Sequence, residues 1–510
     1  MCGFFITNDI NVGIEFSGLI ESKLRFRGPD SSSGFIDCRN GWRAYHSRLA
    51  IIDLDAGVNQ PIFDEDNGVL VFNGEILNYK ELGYKYFDKE YISDTVLLSD
   101  LIKNDLVDNN ELDGFFAYVY INGSGKLRSA TRDHFGVKPL FYHESEEGYL
   151  SFSSEPSLLK EIFSLDVNVN AIEEYKALRS PVFSGSFFNE VSIVNPGTCL
   201  INGEYFNVKD KLSKIKDKNK LNIDDLKYAL DTGLKTRLVS DAPVGLLLSR
   251  GVDSHLLKNM GKFNKLYTIG FSSDEDILYL KNKNYENLTI VEANSEQYKK
   301  DLTHLLYTRG EPMSVPNEVL LYRVAKTAAK DGVKVLLSGE GADEFFGGYD
   351  RIFQWAKKTN IFNVSDFLRL YCYGDVVEGS YLFRRFENVF SEVCELSVFE
   401  QVRWFFIRYH MPVLFRRLDF SLMAAGVEGR EPIANMHTFM QAVEYSSEDL
   451  MSDQLGKVPL RELISMYMGK EFGYEQKVGF PVDLREIFNH KGCKTSYEIW
   501  FEENLKVLGL

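Results

Sequence analysis

A chain of 510 residues is longer than one hydrophobic core usually organises, so two or three domains are expected, and a 44% apolar fraction with 14% aromatics can fill them. Seventy-four acidic residues against 58 basic ones give a formal net charge of -16, which excludes a general nucleic-acid binder that lives on phosphate neutralisation. The six cysteines are too scattered for a disulfide framework or a C-x-x-C site, no apolar run reaches membrane-spanning length, and the first residues lack a signal-peptide pattern. The expectation is a reducing, cytoplasmic setting with no membrane and no nucleic-acid partner.

Cys2 is the first residue with evident chemistry. Once Met1 is removed, its thiol and a free α-amine belong to one residue, and an amine with an unperturbed pKa of about 8 can take the thiol proton. Through about residue 200, apolar runs alternate with turn residues without long helical periodicity, which predicts a mainly β architecture with some helices. Asn73-Gly74 is read as closing a strand. Its side-chain amide and N–H form a candidate oxyanion hole, although an Asn-Gly pair is by itself more often a plain turn.

Met1-Cys2-Gly3, Arg27-Gly28-Pro29-Asp30, His46-Ser47-Arg48-Leu49, Asn73-Gly74-Glu75-Ile76, Ser93-Asp94-Thr95 and Arg132-Asp133-His134-Phe135-Gly136-Val137-Lys138-Pro139 follow in order. Together they resemble the glutaminase domain of glutamine-hydrolysing asparagine synthetases. The resemblance implies an αββα sandwich of the N-terminal-nucleophile hydrolase type over residues 1–206. It implies that Cys2 attacks the glutamine amide, that Asn73 and Gly74 hold the oxyanion, and that Arg48 and Asp94 clamp the α-carboxylate and α-amine with Glu75 nearby. That division is physically sensible, since a guanidinium fork matches a carboxylate and a carboxylate matches an ammonium.

Residues 181–206 read as hairpins that finish this module, and the densely charged stretch that follows reads as a linker, 207–220. The second domain, 221–510, opens with an amphipathic helix from Ile223 that Asn222 can cap. Next comes Val244-Gly245-Leu246-Leu247-Leu248-Ser249-Arg250-Gly251-Val252-Asp253-Ser254, a buried strand running into a helix, which is where open α/β sheets bind phosphate. Strands are expected at Leu266–Phe271 and Leu288–Val291, and a last one over Val333–Leu337 ends in Ser338-Gly339-Glu340-Gly341-Ala342-Asp343-Glu344. Two strands that each end in a Ser/Gly/acid loop predict one crevice in an α/β domain with a parallel sheet and additional helices. Asp253 and Asp343 suit magnesium carried by ATP, and Ser249 with the loop N–H groups suits pyrophosphate. The stretch Val364–Phe420, rich in aromatics and Arg, reads as packed helices.

These loops also resemble the ATP-pyrophosphatase domain of asparagine synthetases, and Lys457 and Lys477-Val478-Gly479-Phe480-Pro481 extend the likeness. The resemblance implies ATP and Mg2+ as cofactors, with Leu248, Ser249, Arg250, Gly251, Asp253, Ser254, Ile269, Ser338 and Gly339 around the nucleotide. It implies metal contacts at Asp253 and Asp343, Glu340 assisting ammonia attack, and Lys457 facing the α-phosphate. A homodimer is implied by the resemblance alone. The expected reaction is glutamine-dependent amidation of a carboxylate activated as its acyl-adenylate, with aspartate the default acceptor.

Two departures bear on this expectation. Family members carry Ser-Gly-Gly in the first loop where this chain has Ser249-Arg250-Gly251, with His255 replacing a hydroxyl beside it, and the segment Asp276–Asn287 is short. The alternatives are a different acceptor, such as a nucleotide-linked uronic acid in surface-polysaccharide biosynthesis, a glutaminase with an inactive synthetase half, or a noncatalytic scaffold.

Overall fold

The structure is a computed structural model that describes residues 2–214, 222–476 and 482–509. Part of the stretch expected as a linker and the whole of Lys477-Val478-Gly479-Phe480-Pro481 therefore lie outside the described residues.

The strand Cys2–Thr7 is buried at all six positions. Phe4 and Ile6 join Val69, Val71, Ala117 and Val119 in one apolar cluster, while Phe5 packs with Ile20, Leu24, Leu158 and Ile162 in another. Because successive side chains of a strand point to opposite faces, a strand apolar on both sides needs a layer on each. The strand Val69–Ile76 repeats the pattern: Val69 and Val71 share the inner cluster, and Leu70 and Phe72 face residues of the helices Tyr79–Phe87 and Asp94–Lys103. Two antiparallel sheets of seven and six strands are thereby stacked between helices. This is the expected αββα sandwich. Asn73 and Gly74 do not close a strand, however. They lie inside Val69–Ile76, paired with Ala117 and Phe116 of Gly114–Ile121, and Gly74 keeps its place in the ladder at a φ of 136° that an L side chain rarely adopts.

The second half holds a five-stranded parallel sheet in the order Leu288–Glu292, Leu266–Gly270, Val244–Leu247, Val335–Leu337, Glu428–Arg430. The chain builds outward from Val244–Leu247 in one direction and then returns to its other side. The strand order therefore reverses between Val244–Leu247 and Val335–Leu337, and the crevice beyond their carboxyl ends is a ligand site by topology. The opening helix runs Ile223–Arg237, and the Asn222 side chain accepts the Asp224 N–H at 3.0 Å as its cap. The short stretch after the second strand forms a nine-residue helix, Glu275–Lys283. The aromatic-rich region forms packed helices, including Val364–Tyr371, Tyr381–Ser391, Val398–Phe405 and Met411–Met423, with the Phe367 and Phe405 rings touching each other and both Phe386 and Phe390. Within 207–214 the chain forms the helix Val208–Lys214, which buries Val208 and Leu212. No helix among the described residues is long and apolar enough to cross a membrane.

The two halves meet across buried charge. The Arg27 guanidinium donates to the carbonyl of Cys2 (3.1 Å), to Glu155 Oε1 (2.6 Å) and to Asp419 Oδ2 (2.8 Å) on helix Met411–Met423. Lys138 Nζ reaches the other oxygen of Asp419 at 3.4 Å. All four side chains are almost wholly withdrawn from solvent. Removing one member of such a set leaves its partners charged and unpaired, so Arg27→Met is expected to cost about 3–5 kcal/mol. Thermal unfolding should register this as a clear loss, whereas the exposed pair Lys80–Glu90 should be worth under about 1 kcal/mol.

Candidate active sites

Cys2 opens its strand opposite Arg48 of Arg43–Arg48. Its backbone nitrogen, which becomes the α-amine when Met1 is removed, donates to Asn73 Oδ1 at 3.0 Å. That bond fixes the Asn73 amide, whose Nδ2 is then buried with no hydrogen-bond partner among the described residues. An orphaned buried donor beside a nucleophile is suited to charge that appears only during reaction, as in an oxyanion hole. Burial pushes the Cys2 thiol pKa up, while the chain amine, the Leu49 N–H and Arg48 favour the thiolate and Glu75 opposes it.

Glu75 and Asp94 are both buried beside this cysteine. Asp94 accepts the N–H groups of Ile76 (3.0 Å) and Thr95 (2.8 Å), yet burial pushes its carboxyl up to about 6. Glu75 is raised well above the usual carboxylate range by burial and then by Asp94 and Glu428, with Arg430 opposing; its Oε2 has no partner among the described residues. Two under-compensated carboxyl groups form a natural receptor for an ammonium ion. Arg48 is placed differently from the expectation of a free fork. Its nitrogens donate to Asn59 Oδ1 (3.1 Å) and to the carbonyls of Asp55 (2.6 Å), Ile52 (3.4 Å) and Asp53, so clamping a carboxylate requires exchange of these loop contacts.

At the switch point of the parallel sheet lies a cavity of about 520 Å³ lined by Leu248, Ser249, Arg250, Gly251, Asp253, Ser254, Ile269, Ser338, Gly339, Glu340 and Asp343. All nucleotide-site candidates named from the sequence meet there. The first loop closes on itself: the Ser249 and Ser254 hydroxyls are 3.1 Å apart, and the Gly251 N–H donates to Ser249 Oγ at 3.1 Å. Arg250 does not carry a positive φ, so glycine's conformational freedom is not required at its position. Its side chain turns to Glu275 (3.3 Å) and Glu475, beside the Tyr279 ring. His255 does not line the cavity; it is wholly buried among Tyr279, Tyr285 and Phe472, and burial lowers its pKa to about 4.

Lys457 bridges the two candidate metal carboxylates, with Nζ 2.7 Å from Asp253 Oδ2 and 2.6 Å from Asp343 Oδ1. Gly348 permits this closeness, because a Cβ there would collide with the Asp343 carboxylate and the Lys457 stem. Lys457 itself sits at φ 57° before helix Val458–Met468, a left-handed conformation that costs a non-glycine residue about 1–2 kcal/mol. Asp253 Oδ1 is buried with no hydrogen-bond partner among the described residues. An orphaned carboxylate oxygen beside a second carboxylate fits a hard cation, so these residues suit magnesium arriving with a nucleotide. Among the described residues, no group of three or more His, Cys, Asp or Glu forms a metal site by itself.

The asparagine synthase family model matches residues 225–509, and the glutamine amidotransferase domain model matches residues 1–211. The chain belongs to the asparagine synthase family. Glutamine-hydrolyzing asparagine synthetase 1 of Bacillus subtilis (strain 168) is 30% identical over 347 residues, covering 64% of this chain and 54% of the relative. Glutamine-hydrolyzing asparagine synthetase 2 of Oryza sativa subsp. japonica is 27% identical over 358 residues, covering 65% and 56%. Amidase chry2 of Gibberella zeae is 26% identical over 376 residues, covering 64% and 54%. The chain spans about half the length of these curated relatives.

For an asparagine synthase family member, two features carry no legible signal in the sequence. Arg27 stands in a quoted motif, but its partner Asp419 is distant in the chain. Glu428 and Arg430 come from the last strand of the second half, yet their charges act on Glu75 of the first. A receptor carboxylate titrating near 6 sets a pH dependence: below that pH the Asp94 carboxyl is neutral and no longer attracts an ammonium. The affinity of this pocket for an ammonium-bearing ligand should therefore fall on acidification through pH 6, and Asp94→Asn should lower it at neutral pH and flatten the profile. Asn73→Ala should reduce any turnover at Cys2 by about 10²–10³-fold with a far smaller change in KM.

Proposed function

We propose that the protein is a glutamine-dependent amide ligase, with a glutaminase half over residues 1–206 and an ATP-using half over 221–510 joined by 207–220. The observation that carries this reading is the meeting of Asp253, Asp343, Lys457 and Glu340 at the switch-point crevice, on the same chain as the Cys2–Asn73 pair.

In the first half, the Cys2 amine takes the thiol proton and the sulfur attacks the side-chain amide carbon of glutamine. Asn73 Nδ2 and the Gly74 N–H receive the oxyanion, the Cys2 ammonium returns its proton to the amide nitrogen, which leaves as ammonia, and water hydrolyses the thioester to glutamate and the free thiol. Glu75 and Asp94 hold the α-amine, and Arg48 turns to the α-carboxylate. In the second half, Ser249 and the loop N–H groups hold the departing pyrophosphate while a carboxylate attacks the α-phosphorus of ATP, forming the acyl-adenylate. Asp253 and Asp343 would hold magnesium, which supplies neutralisation of the phosphate charge. Lys457 must leave these carboxylates for the α-phosphate as negative charge develops there. Glu340 accepts a proton from the attacking ammonia, and the amide forms with release of AMP. Aspartate is the default acceptor.

An inactive synthetase half is disfavoured by Arg250, whose backbone needs no glycine and whose side chain is engaged by Glu275 and Glu475. The test is to supply glutamine, ATP, magnesium and a panel of carboxylates and to quantify glutamate, AMP, pyrophosphate and amide. AMP and amide in equal amounts support the ligase; glutamate without AMP for every carboxylate overturns it. Lys457→Met should abolish AMP formation while glutamate release from Cys2 persists. Arg250→Gly should change AMP formation by less than about fivefold, because partly exposed ion pairs contribute little.

A further inference from the structure

The crevice continues past the two acidic loops to Arg179, Arg417 and Tyr497, which line the same cavity as Glu340. Arg179 comes from the first half, where it caps the end of helix Val169–Leu178 at φ 64°. Its guanidinium carbon lies 3.1 Å from the ring centroid of Tyr373 and 3.3 Å from that of Tyr497, and the two rings are within 18° of parallel. Stacking on both faces fixes the guanidinium plane and leaves only its N–H edge for a partner. Arg179 Nε is buried with no hydrogen-bond partner among the described residues. Burial and then the neighbouring Arg417 disfavour the cationic form of Arg179, against Tyr373 and Tyr497, the latter also through a side-chain hydrogen bond.

Arg417, half-buried on helix Met411–Met423, is also without an ion pair among the described residues. Its helix neighbours are matched: Arg416 with Glu311, and Asp419 with Arg27 and Lys138. Neither guanidinium has an ion-pair partner among the described residues, although carboxylates line the same cavity further along, and two cations brought together at one end of it are unfavourable until an anion arrives.

We propose that Arg179 and Arg417 form an anion subsite of the acceptor pocket, so that the acceptor is a carboxylate bearing a second anionic group. The carboxylate to be amidated faces Glu340 and the nucleotide, while the second anion takes the two guanidinium edges. The α-carboxylate of aspartate and the diphosphate of a nucleotide-linked uronate share this chemistry. The assignment rests on the amide-ligase reading, and it makes the acceptor pocket a joint product of both halves of the chain.

The full-length protein is saturated with magnesium and α,β-methylene-ATP, so that nucleotide groups cannot compete for the ATP site. It is then titrated calorimetrically with aspartate, a nucleoside-diphosphate uronate and the methyl glycoside of the uronate. One of the first two should bind at least ~30-fold more tightly than the methyl glycoside, which lacks the second anion. Arg179→Ala and Arg417→Ala should each weaken that acceptor by ~10–100-fold, Arg417→Lys by less, with affinity for the ATP analogue shifting under about threefold. Equal binding of the methyl glycoside, affinities indifferent to the arginines, or no binding of either two-anion acceptor would overturn the subsite. Arginine-dependent binding with no AMP from ATP would sink the ligase reading and leave the subsite standing. AMP and amide formed with an acceptor KM indifferent to both arginines would do the reverse.

Discussion

The buried Arg27 guanidinium constrains more of this molecule than any other single group. A charge withdrawn from water must be surrounded by partners, and Arg27 finds them in three places: the carbonyl of Cys2, Glu155 beyond the first sheet, and Asp419 on a helix of the other half. The strand that presents the thiol and the helix that carries Arg416 and Arg417 are thus located against one planar fork. Buried ion pairs are a weak source of net stability, because desolvation offsets the attraction. Their geometry is demanding, and here it ties the register of the nucleophile strand to the seating of the second half.

The two candidate sites meet the problem of buried charge in opposite ways. Around Cys2, carboxyl groups are enclosed with too few cations, so burial moves Asp94 up to about 6 and raises Glu75 well above the usual carboxylate range. Such a pocket is left short of positive charge until a cation enters. In the crevice of the second half, Asp253 and Asp343 share the ammonium of Lys457, whose protonated form they favour against the cost of burial. One site is poised to gain a cation and the other to exchange one.

Much of this was legible in the sequence because period and position carried it. Phe4-Phe5-Ile6 and Val69-Leu70-Val71-Phe72 are apolar on both strand faces, which is the physical reason for a layer on each side, but the pattern by itself reached only a mainly β architecture, and the αββα sandwich was what the motif resemblance implied. The loops after Leu248 and Leu337 declared themselves by small residues and acids following apolar runs, and the topology brought them side by side as expected. Asn73-Gly74 misled, because glycine reads as a turn signal; here it serves a strand interior at positive φ. Arg250 looked more disruptive than it is, since whether a loop residue needs glycine depends on a backbone angle that composition does not reveal. The pairing of Arg27 with Asp419 and the convergence of Arg179 with Arg417 depend on how the halves dock, and no local pattern encodes that.

The position of Arg179 at the end of a first-half helix, between a tyrosine from the helical region and one from the C-terminal helix, bears on how such proteins can be recombined. Each half has its own sheets and its own candidate site, which suggests parts that could be traded between relatives at the connecting segment. A chimera cut there would carry the second half's two acidic loops intact yet import a foreign side chain into the wall of its cavity. The unit that evolution or an engineer can exchange without disturbing that cavity is therefore larger than either half.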